Sequence, residues 1–233
     1  LIYGSEPKAL LQHPLVSTEI SPDALNAYLT FEYVPTPYCI FRDIRKLEPG
    51  QYMVFEQGRI TVHKPYWHIQ FDHQPISFGK ALERFDALLN DATASRLVAD
   101  VPLGVFLSGG LDSSAVAYYA QKNSTDRIKT FSIGFQEKSY DESSYARMVA
   151  NHLGTEHHEK ILTAQDSLEL LPNITDKLDE PFADASIIPT YLLSQFTREK
   201  VTVALGGDGS DELLAGYPTF TSDYVRGIYG RMP

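Results

Sequence analysis

The feature that most limits how this chain can fold is a short apolar strand that runs into Ser108-Gly109-Gly110-Leu111-Asp112-Ser113-Ser114 and then into a helix. Strand Leu103–Leu107 leads into this loop, and a helix from about Asp112 to Gln121 follows it. The alternation then continues. Strand Lys129–Phe135 precedes a helix from Asp141 to Leu153, which stops at Gly154, and a short strand covers Glu156–Lys160. Helices follow over 165–179 and 187–199, and strand Val201–Leu205 runs into a second glycine turn. Short apolar strands separated by amphipathic helices predict an α/β fold with a parallel sheet covered by helices on both faces. Ligands in such folds sit beyond the carboxyl ends of the strands. Both glycine-rich turns lie there, so they are candidate walls of one site.

Residues 1–72 read differently. A short helix over Glu6–Gln12 is ended by His13-Pro14, and Ser21 caps a helix with Pro22 at its first position that runs towards Phe31. Pro35 and Pro37 then interrupt regular structure. The run Gln51–Phe55, the turn Gln57-Gly58 and the run Ile60–Val62 read as a hairpin. These few elements would bury a poor core alone, so the segment is expected to be the tail of a mostly β domain. Gln70–Ser77, with Pro75 inside, is the expected linker. Helical spacing resumes at Leu82, Phe85, Leu88, Leu89 and Ala92, within a helix expected over Phe78–Leu97. The expected division is a domain remnant at 1–72 and an α/β domain at 73–233 that is incomplete at its C-terminus. The first residue is Leu1 rather than Met, so motifs missing from these 233 residues are not read as missing from the gene product.

The formal net charge of -10 gives no broad attraction to nucleic acid. Cys39 is the single cysteine, so neither an intramolecular disulfide nor a multi-cysteine metal cluster can form. The sequence has no apolar run of membrane-spanning length and no basic start followed by an apolar core. A cytoplasmic protein with no membrane partner is expected.

The two loops carry the chemistry. Adjacent Gly109 and Gly110 let the chain turn tightly and bring amide N–H groups near phosphate oxygens, and the helix start adds unpaired N–H groups. Ser108, Ser113 and Ser114 offer hydroxyl donors. Asp112 would repel phosphate unless it holds a magnesium ion or caps the helix. The loop has neither the Gly-Lys-Ser/Thr ending of a Walker loop nor the glycine spacing of a dinucleotide fold. The second loop, Gly206-Gly207-Asp208-Gly209-Ser210-Asp211-Glu212, combines three glycines with three acids. Asp112 and Asp211 could supply the one or two carboxylates with which Mg²⁺ is commonly held beside substrate phosphates. The plainer alternatives are a capped glycine turn and a solvated acidic turn. Adjacent His157 and His158 lack further metal ligands nearby in sequence, which favours structural or surface roles over zinc.

Taken together, these motifs resemble glutamine-hydrolysing asparagine synthetases and related class II amidotransferases over essentially the whole chain. The resemblance is carried by Val101–Ser114, Phe131–Phe135, Tyr140-Asp141-Glu142, Leu153–His158, and Gly207–Glu212 continuing to Gly216-Tyr217. It implies a domain of the adenine nucleotide alpha hydrolase, ATP-pyrophosphatase type, preceded by the tail of a glutaminase domain. It further implies ATP held by Leu107, Ser108, Gly109, Gly110, Asp112, Ser113, Ile133, Gly206 and Gly207. Mg²⁺ would lie on Asp112 and Asp211. Asp208 would take the place of a carboxylate, often glutamate, that does acid–base work on the attacking amine. Asp184 and Ser186, in the loop 179–186, would recognise the acceptor or cap the next helix. The family's cysteine nucleophile would precede Leu1, a transition-state lysine would lie downstream, and Cys39 would fill an apolar site. The implied reaction amidates a carboxylic acid, aspartate first, with glutamine-derived ammonia through an acyl-adenylate. Its products beside the amide are AMP and pyrophosphate. Homo-oligomers fit this class, and the 233 residues alone are expected to be inactive. A relative acting on another acid, peptide, sugar or carrier-bound, and a non-catalytic nucleotide-binding module are the alternatives.

Overall fold

A computed structural model describes residues 1–72, 74–139 and 141–229. His73 of the expected linker and Tyr140 of the quoted motif lie outside the described residues. Two compact units emerge: residues 1–75 with 169–188, and residues 76–168 with 189–233.

In the first unit, α1 (Pro7–Leu10) is shorter than expected, and α2 (Pro22–Phe31) is capped as expected, Ser21 Oγ accepting from Ala24 N–H. A buried cluster of Ala24, Val34, Cys39, Ile40 and Ile44 forms its core. Cys39 is fully enclosed there, and burial pushes its thiol pKa up. Strands β1 (Gln51–Glu56) and β2 (Arg59–Pro65) pair antiparallel around Gln57 and Gly58, both at positive φ. That conformation matches a two-residue hairpin turn.

The second unit opens with α3 (Phe78–Arg96), capped by Ser77. Its sheet holds β3 (Leu103–Phe106), β4 (Lys129–Phe135), β5 (Glu156–Leu162) and β6 (Val203–Leu205), all parallel, in the order β5-β4-β3-β6. Helix α4 (Leu111–Lys122) joins β3 to β4, and α5 (Ser143–Leu153) joins β4 to β5. Helices α6 (Ala164–Lys177) and α7 (Ile187–Arg198) precede β6, and α8 (Ser210–Leu214) and α9 (Pro218–Tyr229) follow it. No helix among the described residues is long and apolar enough to cross a membrane.

Side-chain alternation explains the layers. Val105 and Leu107 face Ala117 and Ala120 of α4 and Ala146 and Ala150 of α5 in one buried cluster. Phe131, in register with Phe106, points to the other face and meets Phe196 of α7 edge to face. The small alanines let helix and sheet approach closely. Helix α5 starts at Ser143 rather than Asp141, because Asp141 Oδ1 accepts from both Ser143 N–H (3.1 Å) and Phe135 N–H (3.2 Å) and so serves as a turn. These bonds, Ser143's first, hold the Asp141 carboxyl below its ordinary pKa.

The strand order sets the site. From β3 the chain steps outward to β4 and β5, then returns to place β6 on the other side of β3. That reversal leaves a crevice at the carboxyl ends of β3 and β6, where ligands bind in open parallel sheets.

Candidate functional site

Loop 108–114 leaves β3 and loop 206–212 leaves β6, so the two flank that crevice. A cavity of about 460 Å³ opens there, within the range of small-molecule sites. Leu107, Ser108, Asp112, Ser113 and Ile133 line it, as do Gly206, Gly207, Asp208 and Asp211. Seven of the nine residues expected to hold ATP are thereby brought together with Asp208, expected to do acid–base work, and Asp211, expected at the metal.

The first loop is stitched to itself. Ser108 and Ser113 hydroxyls lie 2.9 Å apart, Ser108 N–H donates to Ser113 Oγ (3.2 Å), and Gly110 N–H donates to Ser108 Oγ (3.3 Å). Gly110 stands at the N-cap of α4, which puts Asp112 in the first helical turn. Gly109 and Gly110 do not line the cavity. Gly109 serves packing instead. Its φ is +87°, and a Cβ placed there would lie 2.5 Å from Ala146 N and 2.6 Å from Tyr145 Cβ of α5. The loop can therefore lie against that helix only with glycine at this position.

The second loop closes onto the first. A Cβ on Gly207 would sit 2.9 Å from Ser113 N and 3.1 Å from Asp112 Cβ. This contact brings the acidic loop against the start of α4. Ser210 Oγ donates to Gly207 O (2.8 Å), and Gly209, at φ +88°, ends the turn into α8.

Asp112, Asp208 and Asp211 line one cavity, and none of their carboxylates makes a hydrogen bond or ion pair among the described residues. Glu212 differs, accepting from Tyr217 Oη at 3.0 Å. That bond, with the charge of Glu212 and then of Asp211 and Asp208, raises the Tyr217 pKa. The described residues hold no group of three or more His, Cys, Asp and Glu that could cage a metal by protein alone. Two carboxylates opening onto a cavity fit Mg²⁺, which keeps room for phosphate oxygens and water.

Asp184 and Ser186 belong to the other compact unit and do not line the cavity. Asp184 Oδ1 accepts from Ser186 N–H at 2.8 Å just before α7, and this bond first of all holds its carboxyl low. His157 is mostly buried between β4 and β5, 3.0 Å from Thr130 Oγ1 and 3.3 Å from Ser132 Oγ, while His158 pairs with Glu156 and stacks on Phe131. Both act within the sheet.

Phe106, Phe131, Thr190 and Leu193 also line the cavity and were not singled out as site residues. Phe106 ends β3 and Phe131 lies inside β4 in register with it, a pairing that the sequence does not display. Thr190 and Leu193, three apart, were visible as one helix face, but the sequence does not say what that face meets.

Residues 84–231 match the asparagine synthase family, and residues 1–67 match the glutamine amidotransferase domain family. A protein of Methanocaldococcus jannaschii named as a glutamine-hydrolyzing asparagine synthetase is 37% identical over all of this chain and 46% of its own length. Glutamine-hydrolyzing asparagine synthetase 1 of Bacillus subtilis is 33% identical over 99% of this chain and 36% of its own length. Amidase chyE of Penicillium rubens is 30% identical over 79% of this chain and 30% of its own length. The chain thus spans less than half the length of each of these relatives. With the family match covering the sheet, both loops and the cavity between them, the chain belongs to the asparagine synthase family.

Proposed function

We propose that this chain carries the acid-activating site of an ATP-dependent, amide-forming ligase fed by glutamine-derived ammonia. In this reading residues 73–233 form a synthetase domain of the adenine nucleotide alpha hydrolase, ATP-pyrophosphatase type, and residues 1–72 are the tail of its glutaminase domain. The observation that carries it is the pairing of three carboxylates, Asp112, Asp208 and Asp211, without partners among the described residues, with a self-bonded serine loop around one cavity.

An acid carboxylate attacks the α-phosphorus of ATP, forming an acyl-adenylate while pyrophosphate leaves. Ammonia then attacks the activated carbonyl and AMP departs. The N-terminal turn of α4 presents N–H groups and a positive dipole end to the phosphates. Leu107 and Ile133 offer apolar surface to the nucleoside. Asp112 and Asp211 would hold Mg²⁺, which when bound supplies charge neutralisation on the pyrophosphate. Asp208 accepts the proton that the attacking nitrogen must lose. Gly206 and Gly207 complete the wall and keep it free of side chains.

Aspartate is the acid this reading puts first, supported by the names of the Methanocaldococcus and Bacillus relatives. A second acid class keeps a place, since the two loops serve the activation of a carboxylate and not the choice of acid. The test follows pyrophosphate and AMP from the full-length protein with ATP, Mg²⁺, ammonia and a panel of acids. Aspartate-dependent release of both is the expected result. Release with a different acid alone would replace aspartate, and tight ATP binding with no cleavage for any acid would reduce the site to a nucleotide-binding module.

A further inference from the structure

The family boundaries and the compact units do not coincide. Residues 169–188 fall inside the asparagine synthase match, yet they cluster in the structure with residues 1–75, most of which match the glutamine amidotransferase domain. The ties are specific. Glu180 Oε1 accepts from Ile40 N–H at 2.7 Å, and Glu180 Oε2 pairs with Lys46 Nζ, which also donates to Val34 O at 2.7 Å. Both partners are largely enclosed, 30% and 15% exposed, so solvent screens this pair less than a surface one. Ala183 N–H donates to Glu32 O at 2.9 Å, and Lys8 Nζ lies 3.5 Å from Asp179 Oδ1. A few residues onward the same segment becomes α7, whose Pro189, Thr190 and Leu193 line the nucleotide cavity.

We propose that Lys46, through Glu180, is a positioning residue by which the amidotransferase segment holds the loop leading into α7, and thereby couples glutamine use to the synthetase cavity. Lys46 touches neither substrate nor the reacting atoms. Its role is to keep residues 179–183 on the 1–75 segment, so its loss is felt when nitrogen must arrive from glutamine and much less when ammonia is supplied from solution. This inference rests on the function proposed above.

The test compares Lys46→Met and Lys46→Arg in the full-length protein, with glutamine or ammonia as nitrogen source, and follows hydrogen exchange at residues 178–186. Lys46→Met should lower glutamine-supported pyrophosphate release about tenfold, short of the roughly hundredfold cost of a misplaced reacting group. Glutamate should then accumulate in excess over pyrophosphate, ammonia-supported release should hold, and exchange at 178–186 should rise. Lys46→Arg should restore all of these, since the cation remains. If Lys8–Asp179 masks the loss, the Lys8→Met/Lys46→Met double variant should expose it. Equal rates with both nitrogen sources in the double variant would overturn the proposal, as would an equal fall in both that Arg does not rescue. If the wild-type protein releases no pyrophosphate with any acid, the functional reading fails by itself. The tether then stands or falls on whether Lys46→Met, and not Lys46→Arg, raises exchange at 178–186.

Discussion

In loop 108–114 the Ser108 and Ser113 hydroxyls bond to each other and to the loop backbone, whereas loop 206–212 leaves the Asp208 and Asp211 carboxylates without a hydrogen-bond or ion-pair partner among the described residues. Both follow a parallel strand and both are rich in glycine, yet the first offers self-bonded hydroxyls with Asp112 as its one open carboxylate, and the second offers mainly open charges. Carboxylates that open onto a cavity in this way offer oxygen ligands to an incoming cation. Three acids away from the cavity, Asp141, Asp166 and Asp184, are instead each held by local hydrogen bonds. The comparison therefore separates residues that build the site from residues that wait for a ligand.

The largest effect that would sharpen this contrast is expected at the acids. Asp112→Asn and Asp211→Asn should each lower acid-dependent pyrophosphate release on the order of 10²-fold, as loss of a preorganised electrostatic contact does. Both should also raise the Mg²⁺ concentration needed for half-maximal rate, and their thermal midpoints should hardly move. Unchanged rates at limiting Mg²⁺ would remove the two residues from the metal.

Next comes Gly109→Ala, which should leave less folded protein rather than a slower site. An L-residue at that backbone angle costs about 1–3 kcal/mol, before the clash with α5, and urea unfolding would measure the loss. Were Gly109→Ala as stable as the parent, the packing role assigned to this glycine would be wrong. Ser113→Ala should cost about 1 kcal/mol in unfolding, the net worth of a hydrogen bond, with a modest loss of ATP affinity read by calorimetry. A Ser113→Ala rate defect as deep as that of Asp211→Asn would break the distinction between the loops.

The smallest effect is a pH slope. Burial, ahead of the opposing pull of Glu159, holds the His157 pKa below the ordinary value of 6.5. Between the folded value and 6.5 the unfolded chain binds a proton that the folded chain does not. Stability is thus fully present above 6.5 and falls as pH drops through that window. Replacing His157 with Gln should flatten the slope, which unfolding curves across mildly acidic pH would show.

Much of this architecture was legible in the sequence. Lys129–Phe135 matches β4 at both ends, Ser21 caps α2 as its position before Pro22 suggests, and Gln57-Gly58 makes the hairpin turn. These elements are governed by local chemistry, which a sequence displays directly. The start of α5 was displaced because Asp141 bonds back to Phe135, a partner six residues away whose orientation depends on the end of β4. The site was legible where glycine and acid coincide, at 108–114 and 206–212. What Gly109 does was not, because the neighbour that excludes a side chain, α5, comes from a distant part of the chain. The grouping of 169–188 with 1–75 was also hidden, since the Lys46–Glu180 pair spans sequence positions whose periodicity carries no information about each other.

The central claim is that the cavity between the two loops cleaves ATP between its α- and β-phosphates to activate an acid. The direct measurement supplies the full-length protein with ATP, Mg²⁺, ammonia and whichever acid supports turnover, its carboxylate labelled with oxygen-18. An acyl-adenylate opened by ammonia leaves one carboxylate oxygen on the phosphate, so labelled AMP beside unlabelled pyrophosphate is the result this account predicts. Label in inorganic phosphate beside ADP would contradict it.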